Sequence, residues 1–462
     1  MMHVSTKYSL LALLLAVLAY AALSIAGQAQ PIAATAAITV FTATLWISEA
    51  LPIPVTSLIP FVAFPLAGVL DHTQAAAALG NHVILLLMGA FMLSKALEKS
   101  NVHSRLAYYL VNLTGGRSAK RLVFGFMLTA AILSMWISNS ATTLILLPIV
   151  LAVLKYVDDS KLTVALLLGI AYAASLGGVG TPVGTPPNII FMSVYLETFG
   201  KEISFLEWMK TGVPIVLIGI PVIALWLCRN LSSAAHYQLP RTGSWRSAEI
   251  RVLGVFALVA SAWISRPYWS GWFGLESVGD STIALAGVVL MFMVPSGETS
   301  SDDPNQSSEK LLDWKTAVDI PWGMLLLFAG GICIAKAFSA SGLSTMMGQS
   351  LSGLADLPLP LLILAICLFV TFLTEITSNT ATATLLMPIL ASAGIAAGID
   401  PALIMMPAAI SASCAFMLPV ATAPNAIVYG MDKFSIKTMA REGFVLNVLL
   451  AFVVSAISYL TL

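Results

Sequence analysis

The chain has 462 residues, of which 58% are hydrophobic and only 10% charged, with 22 basic and 22 acidic side chains. Soluble domains average about 25% charged residues, so an ordinary soluble protein is excluded, and the balanced charge without a basic tail excludes a nucleic-acid partner. Many apolar runs of about 20 residues specify an all-α polytopic membrane protein, and the strand-type alternation of a membrane barrel is absent.

In chain order, residues 8–26 form the first run, long for the apolar core of a cleaved signal peptide and therefore read as a retained helix. Runs at 32–48, 56–70 and 83–96 follow, the last ending on Lys95 and Lys99. A basic, amphipathic connection with Arg105, Arg117, Lys120 and Arg121 leads into the apolar segment 122–150, which Lys155 and Lys161 close. Basic flanks at both ends of one segment predict a re-entrant hairpin that returns to the face it entered from. Its tip is Ser138-Asn139-Ser140.

The next helix, 162–195, is interrupted by SLGGVGTPVGTPPNII, whose four glycines and three prolines forbid regular helix. Unwound backbone at membrane depth frees carbonyl oxygens and is tolerated only where protein or a water cavity surrounds it. Run 212–227 and another basic loop (Arg229, Arg241, Arg246, Arg251) complete a first half, residues 1–251. The second half, 252–462, opens with run 252–264 and an aromatic belt at Tyr268, Trp269 and Trp272, followed by run 282–294. A polar linker from Ser296 to Lys315 reads as a mobile loop. Run 322–337 echoes run 83–96, hairpin 359–395 echoes 122–150, and helix 403–431, broken by MLPVATAPNAIVYG, echoes the Gly/Pro break. Run 444–460 ends the chain.

The hairpin echo is close. LSMWISNSATTLILLPI from Leu133 and LTEITSNTATATLLMPI from Leu373 lie 240 positions apart with about half their residues identical. Polar side chains at membrane depth are costly and usually line a site, and a duplicated broken helix points to a transporter site at a repeat interface. Counting both hairpins as re-entrant leaves about 11 crossings. With a cytoplasmic N-terminus, all 22 basic residues except Lys201, Lys210, Arg266 and Lys336 then fall inside, and the two halves are inverted with a periplasmic C-terminus.

Each tip is expected to face the break of its own half. One candidate cation site gathers Ser134, Ser138, Asn139 and the backbone at Gly184; the other gathers Thr374, Thr377, Asn379 and the backbone at Ala421. These segments supply carbonyl, amide and hydroxyl oxygens, suited to sodium, and the helix N-termini after the tips suit carboxylate groups. Glu375, whose counterpart is Met135, is expected to be a structural hydrogen-bond acceptor or a residue near a hairpin surface, with proton coupling as the alternative. Trp136 is expected to pack. The histidines (His3, His72, His82, His103, His236) form no cluster, and Cys228, Cys333, Cys367 and Cys414 sit in apolar runs as core residues, with neither a disulfide nor a metal expected. The chain lacks HExxH, GxSxG and a close pair of intramembrane carboxylates, which argues against an enzyme.

The paired S-N-S/T tips together with GTPPN at 184–188 and ATAPN at 421–425 resemble the divalent-anion:sodium symporter family, the INDY-type dicarboxylate carriers of bacterial inner membranes. The resemblance implies sodium-coupled symport of C4-dicarboxylates or related di- and tricarboxylates. It implies substrate contacts at Ser138, Asn139, Ser140, Ser378, Asn379 and Thr380, with Thr422 and Pro424, and a sodium ion beside each tip. It further implies a lipid-embedded homodimer in which a scaffold domain stays fixed while a transport domain moves as an elevator. Ser140 stands where Thr is common and Ala423 where Pro is common, and neither change removes a ligand oxygen. A proton-coupled or exchange-type carrier of anions such as citrate or sulfate is the alternative on the same fold.

Overall fold

The computed structural model describes residues 4–114, 118–154, 159–231, 244–297, 309–350 and 357–462. The basic flanks Arg117, Lys155 and Arg241 and the histidines His3 and His236 lie outside the described residues. Those described are helical apart from turns, loops and one isolated bridge, Pro295 with Lys310. Nine helices among them are long and apolar enough to cross a membrane, and five further apolar helices are shorter. Crossings and hairpin arms cannot be told apart by length, so this number is not the expected count of 11.

Most of the predicted runs appear at their predicted places. The expected run 56–70 does not appear as one span. In its place stand Ile53–Thr56 and Ile59–Leu66, parted at Ser57 and Leu58 just before Pro60, since proline removes a helical donor and clashes with the preceding turn. The basic connection after Lys99 forms a helix of its own, Val102–Thr114.

Burial is graded from outside to centre. The most apolar stretch of Val4–Ile25 is only 11% buried, whereas that of Ser160–Gly180 is 89% buried. Val4–Ile25 packs along Gln30–Ser48, which in turn meets Trp322–Ser341. The first hairpin is Ala119–Ser134 and Asn139–Leu154; the second is Leu359–Thr374 and Asn379–Ala397. Their second arms begin at equivalent residues because equivalent serines cap them. Ser138 Oγ accepts from Ala141 N at 3.3 Å and Ser378 Oγ from Ala381 N at 3.1 Å, each supplying a partner to a first-turn donor. The broken helices are Ser160–Gly177 with the 3₁₀ turn Gly178–Gly180 before Pro186–Phe199, and Ala402–Ser411 before Ala423–Tyr429.

The two halves interlock. Pro186–Phe199, after the first break, packs on the second hairpin's arm Asn379–Ala397, while Ala423–Tyr429 packs on the first hairpin's arm Asn139–Leu154. Basic residues from separate segments meet at one end: Arg105 pairs with Glu249 at 2.7 Å, Arg246 donates to Ser100 O and Arg251 to Pro295 O. The linker expected to be a mobile loop is fixed over its last part. Leu311 N and Leu312 N donate to Val294 O and Met291 O, and Lys99 meets Asp313 at 2.7 Å. The hydrogen bond from Lys99 pulls the Asp313 carboxyl down to about 2, so the tie holds through mild acid.

Candidate functional site

Both tips and both breaks line one cavity of about 690 Å³. Ser138, Asn139, Ser140, Ser378, Asn379 and Thr380 stand on its walls, with Gly184 to Pro186 from the first break and Ala421 to Pro424 from the second. Every residue expected to contact substrate is therefore on this one surface.

The local bonding repeats in the two halves. Ser134 Oγ donates to Asn139 Oδ1 at 2.6 Å, and Thr374 Oγ1 donates to Asn379 Oδ1 at 2.8 Å. Inside each break an asparagine amide clamps the unwound loop: Asn188 Nδ2 donates to Gly178 O (3.0 Å) and Thr181 O (2.8 Å), and Asn425 Nδ2 to Ala415 O and Leu418 O (both 3.0 Å). The clamp answers the problem of unwound chain at membrane depth, where a carbonyl without a donor is costly. The two clamp oxygens, Asn188 Oδ1 and Asn425 Oδ1, are buried and accept from no described group. Each loop is then tied to its tip, by Thr181 Oγ1 donating to Met135 O at 2.5 Å in the first half and in the second by Thr374 Oγ1, whose single proton is shared between Asn379 Oδ1 and Ala412 O at 3.1 Å. Gly178 is required by this closeness, since a Cβ there would stand 2.8 Å from both Asn139 Oδ1 and Gly184 O.

The Asn139 amide has two orientations, because oxygen and nitrogen are distinguished only by their partners. Turned one way, its nitrogen donates to Gly184 O (3.3 Å), Ala174 O (3.2 Å) and Ser134 Oγ (2.6 Å). Turned the other way, four oxygens converge with a single hydroxyl proton among them. Such a neutral oxygen cluster fits a hard monovalent cation. Three of the four expected ligands of the first site, Ser134, Asn139 and Gly184, meet here, and Ala174 O joins them. The fourth, Ser138, lines the cavity and caps the following helix. In the second half the Thr374 hydroxyl contacts both Asn379 Oδ1 and Ala412 O, with Ala421 on the cavity wall. Thr377 does not join them: its hydroxyl donates to Leu373 O at 2.9 Å and contacts Thr382 Oγ1. Among the described residues no three His, Cys, Asp or Glu side chains gather.

Glu375 is a structural acceptor, as expected. Its Oε1 accepts from Phe416 N (2.7 Å), Met417 N (2.9 Å) and Asn447 Nδ2 (2.7 Å), and its Oε2 from Leu418 N (3.0 Å), binding the second tip to the second break. Trp136 stacks on Phe205 and meets Phe256 edge-on, while also bordering the cavity. Two bonds join the broken helices to each other: Tyr172 OH donates to Phe416 O at 2.7 Å, and Thr185 Oγ1 meets Ser413 Oγ at 3.4 Å. Sequence reasoning missed the charged residues at the cavity wall. Lys95 pairs there with Asp319 at 3.0 Å and Glu98 at 3.1 Å. Lys95 had shown itself in the sequence only as the flank of an apolar run.

Residues 43–404 match the citrate transporter family. The chain belongs to that family. It is 40% identical to the sodium-dependent dicarboxylate transporter SdcS of Staphylococcus saprophyticus subsp. saprophyticus, over 92% of this chain and 85% of the relative. It is likewise 40% identical to SdcS of Staphylococcus aureus strain NCTC 8325, over 92% and 84%. Two solved structures share the fold. The YdaH transporter of Alcanivorax borkumensis superposes with a TM-score of 0.60 at 15% identity, over 84% of this chain and 87% of that one. MtrF of Neisseria gonorrhoeae does so at 0.57 and 13% identity, over 86% and 83%. Family, fold and composition together make this a multi-pass membrane transporter, not an enzyme.

The clamps give a direct test. Asn188→Ala and Asn425→Ala each leave two buried carbonyls without a donor, at roughly 1–3 kcal/mol per group. Both purified variants should melt several degrees below the parent and by similar amounts. A normal melting temperature for either one would show that its loop does not depend on the clamp.

Proposed function

We propose that the chain symports sodium with a C4-dicarboxylate such as succinate, malate or fumarate, or with a related di- or tricarboxylate, by an elevator-type alternating-access mechanism. The observation that carries the proposal is the single cavity faced by both tips and both breaks. Two like polar tips meeting in one chamber suit a ligand with a carboxylate at each end. A cation beside each tip, on Ser134, Asn139, Gly184 and Ala174 O in one half and on Thr374, Asn379, Ala412 O and Ala421 in the other, offsets the ligand's charge. The names of the SdcS relatives support sodium and dicarboxylate. Proton coupling through Glu375 is disfavoured, because four donors already occupy its two oxygens.

In this proposal the moving body is the two hairpins with the two broken helices, tied together by the bonds described above. The outer helices Val4–Ile25, Gln30–Ser48 and Trp322–Ser341 belong to the fixed scaffold of a homodimer. The N-terminus is cytoplasmic, the C-terminus periplasmic, and the membrane is the bacterial inner membrane. Two of the four basic residues out of place in this topology are neutralised locally: Arg266 by Asp280 (2.7 Å) and Glu202 (3.1 Å), and Lys336 by Glu197 (3.5 Å). In this topology Lys95 and Asp319, on the cavity wall, lie toward the cytoplasm, which supports a cavity open to that side.

Uptake into proteoliposomes tests this reading. Replacing sodium with choline should bring succinate uptake to background. Butyrate lacks one carboxylate and so loses about two charge-assisted bonds, worth ~1.5–3 kcal/mol each. It should compete at least ~100-fold more weakly than succinate. Equal competition by butyrate would end the two-ended site, and competition by sulfate alone would end the dicarboxylate class.

A further inference from the structure

A second cavity, of about 320 Å³, lies between Gln30–Ser48, Trp322–Ser341 and the second hairpin. Its walls include Val40, Ala43, Ile334, Phe338, Leu385 and Ile389. The threonines that reach it have spent their hydroxyl protons. Thr39 donates to Thr35 O and Thr384 to Thr380 O, both at 2.8 Å, while Thr377 donates to Leu373 O and leaves its own oxygen to Thr382. A buried water needs two to four polar partners, and apolar cavities without them stay dry or take up apolar guests. Ile47, on the rim, is 53% exposed. It belongs to the helix against which the exposed, apolar Val4–Ile25 packs, so the chamber reaches the outside of the chain beside a membrane-length apolar helix.

We propose that this chamber binds one acyl chain of a membrane phospholipid. An unfilled void forfeits dispersion contacts on every wall, and at membrane depth a hydrocarbon tail is the available filler. The tail lies against Asn379–Ala397, the arm that carries the second tip, so the bilayer bears on the back of that hairpin.

The experiment uses the full chain in liposomes containing phosphatidylcholine with a diazirine midway along one acyl chain. After illumination, label on Ala43, Leu385 and Ile389 should exceed that on the fully buried Leu168 at least five-fold. Ala43→Trp, which fills the chamber, should cut the wall label at least five-fold and leave label on the exposed Leu13 and Leu14 unchanged. Ala43→Leu is a milder filling that keeps the test alive if the Trp variant fails to fold, and should give a partial loss. Wall label no higher than at Leu168, or wall label unmoved by the substitutions, overturns the proposal. So does efficient disulfide formation between two copies through Ala43→Cys, which would show that protein covers this face.

Discussion

Asn139→Asp and Asn379→Asp are each expected to reduce dicarboxylate uptake to background while leaving sodium binding intact. Each asparagine lies where tip, break and cavity meet, bonded to Ser134 or Thr374. A carboxylate there faces the end of a dianionic substrate. At an effective dielectric of about 20 and a separation of ~4 Å the repulsion is on the order of 4 kcal/mol, which is close to a thousand-fold in affinity. The same charge improves the site as a cation ligand. Sodium should therefore still raise the melting temperature of both variants, whereas succinate should no longer add to it. Near-normal uptake in both would remove the tips from the binding site.

Glu375→Ala is expected to cost more than any other single change considered above. The substitution strips three backbone N–H groups and the Asn447 amide of their common acceptor within a buried region. At roughly 1–3 kcal/mol per buried donor left without a partner, the sum is at least about 4 kcal/mol, within the range that unfolds marginal proteins. The variant should be nearly lost from membranes when expressed at 37 °C. Glu375→Gln keeps one acceptor oxygen but turns an NH₂ group toward a donor, so it should be recovered at reduced yield with a lowered melting temperature. Recovery of Glu375→Ala at the parent's level and stability would show that the second break is held by other means.

What could be read from the sequence, and what could not, divides on physical lines. The tips were legible because polar side chains inside an apolar run are conspicuous and because the run occurs twice. The breaks were legible through glycine and proline. Ala174 O and Ala412 O were not legible, since any residue carries a carbonyl and only the path of the chain aims it. Thr377 looked like a ligand because it lies one residue before the tip. Its counterpart in the first half is Ile137, which offers no oxygen, and that mismatch was the available sign that the position lies outside the repeated site. Glu375 was legible only as a carboxylate inside a hairpin, because the donors that fix it lie 41 to 72 residues further along the chain. Asp319 carried no signal, since its pairing with Lys95 spans 224 residues.

The clamp occurs twice with one spacing. The tip asparagines Asn139 and Asn379 lie 240 positions apart, whereas the clamp asparagines Asn188 and Asn425 lie 237 apart, yet each clamp reaches carbonyls ten and seven residues upstream of itself. The three-residue difference therefore falls in the stretch between tip and clamp, outside both. Changing a connection by a few residues costs only tenths of a kcal/mol in closure entropy. A joint of this kind tolerates a few residues more or less, whereas the clamp keeps the same spacing in both places. The unit kept at fixed spacing is thus a short cassette rather than half a protein. Grafting between distant family members should splice between tip and clamp and carry each cassette across whole.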